Sequence, residues 1–238
     1  RKLAIGLADQ GIASLRFDKR GSGKTAIGMT ESELTPETLV ADYGGWVNHF
    51  DDDDRFTKLV LLGHSEGAHL ALRAGRHPSV ARVISVSGPG RPLDDLLRFQ
   101  LKDKLPESLY EEADDILAKL RSGETVDDVP AEFQTLFRPS VQPYLIGFIS
   151  GPPEQDAKVL EKPLLVIQGD KDIQVTPEDA KRLAAAATKS RMMIIKGMNH
   201  VLVSIEKRED QMASYNKPEL PLAVELIPAL VDFIKADR

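Results

Sequence analysis

The sequence predicts an α/β fold built on a doubly wound, mostly parallel sheet. Short runs that are apolar at every position, as at residues 59–62 and 164–167, alternate with longer segments of helical periodicity. A run that is apolar throughout is typical of a strand covered by helices on both faces, as in a parallel sheet. The alternation of such strands with helices therefore predicts the α/β class.

The elements follow from local patterns. We predict strands at residues 12–17, 59–62, 82–86, 164–167 and 192–195, and helices at residues 36–50, 67–76, 179–187 and 219–235. Leu3 and Leu7 recur at helical spacing before Gly11, so the chain also begins with a helix. Pro36 suits a first helical turn, where its missing N–H needs no partner. Pro228 is expected to bend the last helix.

Residues 90–160 interrupt the alternation, since they show helical patterns and prolines but no convincing strand. We predict a helical cap inserted over the carboxyl edge of the sheet, with residues 1–89 and 161–238 forming one core. About 70 helical residues would hold only a marginal core alone, which disfavours a separate domain. The cap contains Phe99, Tyr110, Phe133, Phe137, Tyr144 and Phe148.

The composition excludes several classes of protein. With 42% hydrophobic and 29% charged residues, the chain of 238 residues is expected to form a globular domain. Its net charge of −6 and lack of a basic face predict no nucleic-acid partner. No apolar run approaches about 18 residues, so no membrane span is expected. Cysteine is absent, which excludes disulfides, thiolate zinc sites and cysteine nucleophiles. Neither the compartment nor the oligomeric state follows from these properties.

Residues 63–67, Gly-His-Ser-Glu-Gly, fit the G-x-S-x-G pattern directly between a predicted strand and a predicted helix. In that context the pattern presents a serine on a strained turn, and we predict Ser65 as a nucleophile. Close approach of the neighbouring backbone would require both glycines. The backbone N–H of Glu66, at the positive end of the helix, is the expected donor to an oxyanion. The alternative is an ordinary tight turn.

A nucleophilic serine needs a base and an orienting carboxylate, in the chain order serine, acid, histidine. Asp170 and Asp172 both follow the strand at residues 164–167, and His200 follows the strand at residues 192–195. The carboxyl ends of parallel strands meet at one edge of the sheet, where ligands bind. His200 is therefore the predicted base, and either aspartate is a candidate acid. An aspartate in such a turn also commonly caps its own backbone.

Residues 17–24, 63–67, 169–172 and 197–200 resemble motifs of the α/β-hydrolase superfamily, particularly bacterial serine aminopeptidase-like and esterase-like hydrolases with a helical cap. The resemblance covers nearly the whole chain apart from the cap. It implies Ser65 as nucleophile, Asp172 as acid and His200 as base. It also implies that the loop at residues 17–24 borders the active site.

The implied function is cleavage of a small carboxylic ester by acyl transfer through an acyl-enzyme, with no cofactor. Amide substrates (an aminopeptidase-like activity) and thioesters remain alternatives, as does a non-catalytic binding module of the same fold. The cap aromatics favour an apolar acyl or aryl pocket, unless they serve cap packing. The Glu66 side chain would meet a substrate amine or simply be a tolerated polar group.

In the superfamily a further strand lies between those matching residues 12–17 and 59–62, and the loop after it supplies the second oxyanion donor. Neither is found in this sequence. Without that strand, buried backbone groups would lack partners. We therefore expect N-terminal strands of the fold to be missing from this chain.

Other interpretations are less consistent with the sequence. Gly23, Lys24 and Thr25 follow a predicted strand, but Asp18 stands where a phosphate loop needs glycine. The acidic run at residues 51–54 lacks the ligand spacing of a calcium loop. His64 is expected to pack in the turn at Ser65. The remaining histidines, His49, His69 and His77, are expected to be solvated, and no metal site is predicted because none pairs at zinc-ligand spacing.

Overall fold

The computed structural model describes residues 1–25, 28–207 and 209–236. Four strands form one parallel sheet in chain order: β1 (Leu59–His64), β2 (Val80–Val86), β3 (Leu164–Gly169) and β4 (Ser190–Ile195). Each coincides with a predicted strand, extended by two residues at one end. The predicted parallel sheet is confirmed.

Helices occupy the connections and both ends of the described chain. They are α1 (Lys2–Ala8), α2 (Pro36–Phe50), α3 (Glu66–Ala74), α4 (Leu93–Leu101), α5 (Glu107–Arg121), α6 (Gln134–Phe137), α7 (Gln142–Ser150), α8 (Pro153–Lys158), α9 (Pro177–Ala186), α10 (Asp210–Tyr215) and α11 (Leu226–Lys235). Within the described ranges, no helix is long and apolar enough to cross a bilayer.

Helix α2 begins as predicted, with Pro36 at its first position and Thr35 as its cap. The Thr38 N–H donates to the Thr35 hydroxyl at 3.3 Å. The predicted start of α11 at residue 219 is wrong, because the helix begins at Leu226. Pro228 therefore lies in the first turn, where a missing N–H removes no helical hydrogen bond and no bend results.

Helices cover both faces of the sheet. On one face, strand side chains pack against α1 and α11 in a buried cluster that includes Leu7, Ile84, Ile167, Leu230 and Phe233. On the other face they pack against α3, α8 and α9, in a cluster that includes Leu72, Val83, Ala157, Leu164 and Leu183. Successive strand residues point to opposite faces of the sheet. A strand that is covered by helices on both faces must therefore be apolar at successive positions. The doubly wound arrangement is confirmed.

The segment between β2 and β3 is helical, and none of its residues, all of which are described, lies in a strand. Helices α4 to α7 share their own buried cluster, which contains Leu117, Leu120, Phe133, Phe137 and Leu145. Phe133 and Phe137 thus serve the packing of this segment, with ring centroids 5.9 Å apart. The cluster gives the helices a shared apolar core of their own.

The strand predicted at residues 12–17 is wrong. These residues belong to no regular element and pair with no strand in the part of the chain that is described. A cavity of about 910 Å³ lies between them and β1, lined by Ile12, Leu15 and Phe17 on one side and by β1 on the other. The sequence of this segment suits a strand, but a segment becomes a strand only where a neighbouring strand exchanges hydrogen bonds with it.

Candidate active site

Ser65 occupies the turn between β1, which ends at His64, and α3, which begins at Glu66. Its backbone has φ 56° and ψ −125°, a conformation that costs a non-glycine residue on the order of 1–3 kcal/mol. Two backbone hydrogen bonds hold it: the Ser65 N–H donates to the Val86 carbonyl at 3.0 Å, and the Ala68 N–H donates to the Ser65 carbonyl at 2.9 Å. The half-buried serine is thereby fixed at the carboxyl edge of the sheet.

The two glycines of the motif differ in their steric role. A Cβ on Gly63 would lie 1.9 Å from the Gly67 carbonyl oxygen and 2.5 Å from the Ala68 Cα, so only glycine fits. A Cβ on Gly67 would meet just the Tyr43 hydroxyl among the described residues, at an ordinary 3.7 Å. The steric prediction is therefore right for Gly63 and wrong for Gly67.

Gly63→Ala is expected to prevent folding or to lower the melting temperature by about 10 °C, because the turn must open by more than 1 Å to admit the methyl group. Gly67→Ala is the matched control. It should change stability by less than about 1 kcal/mol, since alanine is the better helix former and has room. Thermal unfolding followed by circular dichroism tests the pair. Equal melting temperatures for the two variants would contradict this account of the turn.

The structure brings Ser65, His200 and Asp172 into contact. The Nε2 atom of His200 lies 3.0 Å from the Ser65 Oγ, and its Nδ1 lies 2.8 Å from the Asp172 Oδ2. His200 follows β4 and Asp172 follows β3, so both side chains lie at the sheet edge that carries Ser65. Because a carboxylate accepts from Nδ1–H, this pairing leaves Nε2 free to accept the serine proton.

Asp172 is held on both carboxylate oxygens. Its Oδ1 accepts from the backbone N–H groups of Gln174 at 2.8 Å and Val175 at 3.0 Å. Its Oδ2 accepts from the Gln168 side-chain amide at 3.0 Å, beside the bond to His200. A carboxylate fixed at this many points fixes the imidazole that it contacts.

Asp170, the other candidate acid, does not contact His200. Its Oδ1 accepts from the Gly197 N–H at 2.6 Å and so ties the turn after β3 to the loop after β4. Asp170 therefore binds a backbone N–H of a distant loop, whereas the alternative role expected from the sequence was capping of its own turn. Asp172 is thus the aspartate that lies against the imidazole.

His64 packs in the turn at Ser65, as expected, and it also contacts His200. Its Nε2–H donates to the His200 carbonyl at 2.8 Å, and the two rings lie 5.0 Å apart. Burial, followed by the nearby His200, lowers the pKa of His64 below its ordinary value of 6.5. His64 therefore holds the backbone of His200 as a neutral donor.

The lowered pKa of His64 predicts a pH-dependent stability. Below about pH 6.5, His64 binds a proton in the unfolded chain but stays neutral in the folded protein until a lower pH. The free energy of unfolding therefore falls as pH falls. His64→Gln keeps an amide donor for the His200 carbonyl and removes the titration. Between pH 7.5 and 5.5, the melting temperature of the wild type should fall more steeply than that of the variant. Parallel curves would contradict the shift.

Glu66 contributes in two ways. As the first residue of α3, its backbone N–H has no acceptor within the helix, which leaves it available beside Ser65. Its side chain pairs with Lys19, whose Nζ lies 2.9 Å from the Glu66 Oε1. Lys19 belongs to the loop that was expected to border the site, although the sequence alone did not single it out.

Tyr43 and Tyr144 lie near the Glu66 carboxylate. Burial, followed by the negative charge of Glu66, raises the pKa of both phenols. The Lys19 ammonium lies 5.8 Å from the centre of the Tyr144 ring. Both tyrosines therefore stay uncharged, and Lys19 and Glu66 are the paired charges in front of the serine.

A smaller cavity of about 190 Å³ opens on Ser65 below α4 and α7. Leu93, Leu97 and Phe148 form part of its apolar wall. Phe148 thus agrees with the predicted aromatic pocket, whereas the burial of Phe133 within its own helical cluster agrees with the alternative of cap packing.

The expectation for His69 is wrong. Its side chain is buried on the inner face of α3, and its Nε2 lies 2.9 Å from the Asp156 Oδ2 on α8. His49 is exposed, as expected, and His77 is half-buried against Asn48 at 3.0 Å. Within residues 1–25, 28–207 and 209–236, no group of three or more His, Cys, Asp or Glu side chains is arranged to hold a metal.

Comparisons with known proteins identify the family and the fold of the chain. The model of the Alpha/beta hydrolase family matches residues 2–214. Esterase EstD of Thermotoga maritima is 27% identical to the chain over 215 residues, which is 87% of this chain and 50% of the relative. The chain thus spans about half the length of this curated relative.

Solved structures share the fold at low sequence identity. Est1E from Butyrivibrio proteoclasticus, with ferulic acid bound, is 16% identical, with a TM-score of 0.64 over 98% of this chain and 80% of its own. Rv0554 from Mycobacterium tuberculosis is 18% identical, with a TM-score of 0.62 over 98% and 83%. A thermophilic esterase from Thermogutta terrifontis is 18% identical, with a TM-score of 0.56 over 99% and 85%.

Proposed function

The chain belongs to the alpha/beta hydrolase family, and on that premise we propose that it hydrolyses carboxylic esters through Ser65. The proposal rests on the hydrogen bonds that link Ser65 to His200 and His200 to Asp172. The similarity to proteins named esterases supports the ester as the bond cleaved.

In the first step the Ser65 Oγ attacks the ester carbonyl carbon while His200 Nε2 takes the hydroxyl proton. The hydrogen bond of 3.0 Å provides the path for that proton. Asp172 holds the imidazole in the reactive tautomer and stabilises its cation. The Glu66 N–H receives the oxyanion of the tetrahedral intermediate.

The intermediate collapses when the C–O bond to the alcohol breaks and His200 returns the proton to the leaving oxygen. Water, deprotonated by the same imidazole, then attacks the acyl-Ser65 carbonyl. The bond between the acyl carbon and Oγ breaks, His200 returns the proton to Oγ, and the acid is released. Every proton in this cycle passes through His200, so neither a metal nor a cofactor is required by the proposed steps.

We further propose that residues 90–160 act as a cap on the core formed by residues 1–89 and 161–238. Helices α4 and α7 of this segment line the cavity that opens on Ser65, as a cap would. The cap would exclude water from the acyl group.

Amide cleavage in the manner of an aminopeptidase is a weaker alternative. It would use a free carboxylate to bind the substrate ammonium, but the Glu66 carboxylate is already paired with Lys19 at 2.9 Å. A non-catalytic binding module is also disfavoured, because the serine, imidazole and carboxylate all lie within hydrogen-bond distance. Thioesters would use the same groups.

Turnover of p-nitrophenyl esters of increasing chain length, beside aminoacyl p-nitroanilides and acyl thioesters, tests the proposal. We expect the esters to have the highest kcat/KM and a fluorophosphonate to label Ser65 stoichiometrically. Preferential turnover of the anilides would replace the esterase assignment. Absence of labelling at Ser65 would overturn the serine mechanism itself.

A further inference from the structure

The cavity that opens on Ser65 has a polar end as well as apolar walls. Arg91, in the loop after β2, lines it together with Leu96 and Phe148. The Arg91 side chain is 16% exposed, so its guanidinium is largely withdrawn from solvent. A mostly buried guanidinium is rare in proteins unless it is paired.

The guanidinium is fixed along one edge by Asp179 of α9. Its Nε donates to the Asp179 Oδ1 at 2.8 Å, and its Nη2 donates to the Asp179 Oδ2 at 2.7 Å and to the Thr176 hydroxyl at 3.0 Å. One of its faces stacks on Phe99, 4.8 Å from the ring centre. Such a two-point pairing leaves the guanidinium little freedom to rotate.

The remaining nitrogen, Nη1, has no hydrogen-bond partner among the described residues. Asp179 itself is fully buried and also accepts from the backbone N–H groups of Gly90 at 3.1 Å and Thr176 at 2.9 Å. The ion pair is therefore neutral overall. What Arg91 offers to a ligand in the cavity that it lines is therefore the unpaired Nη1 donor rather than a free positive charge.

The size of the cavity restricts what reaches that donor. A volume of about 190 Å³ is below the roughly 300–1,000 Å³ of sites for drug-sized ligands. The apolar walls suit methylene groups directly attached to the ester carbonyl. The larger cavity of about 910 Å³ also reaches Ser65, but Arg91 does not line it, so only a short acyl group held in the smaller cavity would meet Arg91.

Resting on the proposed esterase function, we propose that the preferred substrate is an ester of a short acid that carries a neutral oxygen acceptor, and that Arg91 binds this oxygen. A keto group at the fourth or fifth acyl carbon is the simplest such acceptor. A carboxylate is disfavoured, because Asp179 already neutralises Arg91.

The test compares p-nitrophenyl esters of matched size: 4-oxopentanoate, 4-methylpentanoate, 5-oxohexanoate, 5-methylhexanoate and hydrogen succinate. For the wild type we expect at least one keto ester to exceed its methyl analogue in kcat/KM by about tenfold, as for a hydrogen bond to a charged donor. The succinate ester should be slower than that keto ester. A wild-type ratio near one for both pairs would overturn the proposal.

Arg91→Gln should bring the keto-to-methyl ratio close to one. The double variant Arg91→Met with Asp179→Asn removes both charges and should give the same ratio, so an effect of an unpaired Asp179 is separated from loss of the donor. The ratio is measured within each protein and does not depend on the fraction folded. An unchanged ratio in both variants would overturn the assignment to Arg91.

Arg121→Gln is the matched control, because Arg121 also pairs with a buried carboxylate, that of Asp94, but does not line the cavity. Its keto-to-methyl ratio should equal that of the wild type.

If the succinate ester is the fastest substrate and Arg91→Gln slows its hydrolysis, the acceptor bound by Arg91 is anionic, and the proposal of a neutral acceptor is overturned. If the wild type hydrolyses none of the five esters, the proposed esterase function fails, whereas equal hydrolysis of keto and methyl esters defeats this inference alone.

Discussion

Ser65→Ala is expected to lower kcat/KM for ester hydrolysis on the order of 10⁴-fold or more, because the nucleophile and its proton are both lost. The melting temperature should change little. Alanine fits the same turn, and the backbone bonds of Ser65 to Val86 and Ala68 do not involve the hydroxyl. Steady-state kinetics and mass-spectrometric detection of the acyl-enzyme measure the effect.

Ser87→Ala is the control for this prediction. Ser87 also follows a strand, β2, and also has a positive φ, 48°, but its buried hydroxyl has no hydrogen-bond partner among the described residues. Its variant should keep activity within a few-fold of the wild type. Substantial residual activity of Ser65→Ala, above that of the solution without enzyme, would remove Ser65 from the proposed mechanism.

Asp172→Asn is expected to lower kcat about 10³- to 10⁴-fold with a small change in KM. The amide would still accept from the Gln174 and Val175 N–H groups, so the turn should stay folded. Facing His200, however, the amide NH₂ would favour the tautomer in which Nε2 carries the proton. That imidazole no longer accepts a proton from Ser65.

Asp170→Asn separates the two candidate acids. Its side-chain oxygen would still accept from the Gly197 N–H, and it has no contact with His200, so we expect activity within a few-fold of the wild type. Comparing kcat for the two variants at pH 7 and at higher pH decides between them. A larger loss for Asp170→Asn would reverse the assignment of the acid.

Much of the fold was accessible from the sequence because its patterns are local. The apolar runs at residues 59–62 and 164–167 need only the chain around them to be recognised as buried strands. The turn at Ser65 has a motif whose first glycine, Gly63, has no steric alternative. Ser65, Asp172 and His200 converge because parallel strands bring their carboxyl ends to one edge.

Other features depend on neighbours distant in sequence. Residues 12–17 have a strand pattern, but no strand lies beside them in the described chain. The burial of His69 depends on Asp156 arriving on α8, which is 87 residues away. The second glycine, Gly67, matches the motif although the described neighbours leave space for a side chain.

The α/β class, the family, and the candidate serine and histidine with their order along the chain all follow from the sequence. The three-dimensional structure was needed to show which aspartate lies against His200, that Lys19 pairs with the Glu66 carboxylate, and that Arg91 lines the cavity beside Ser65. Periodicity and motifs depend on the residues within one segment and on whether that segment is buried or exposed on average. A hydrogen bond or a cavity wall instead depends on which side chains distant segments bring within about 3–4 Å of each other.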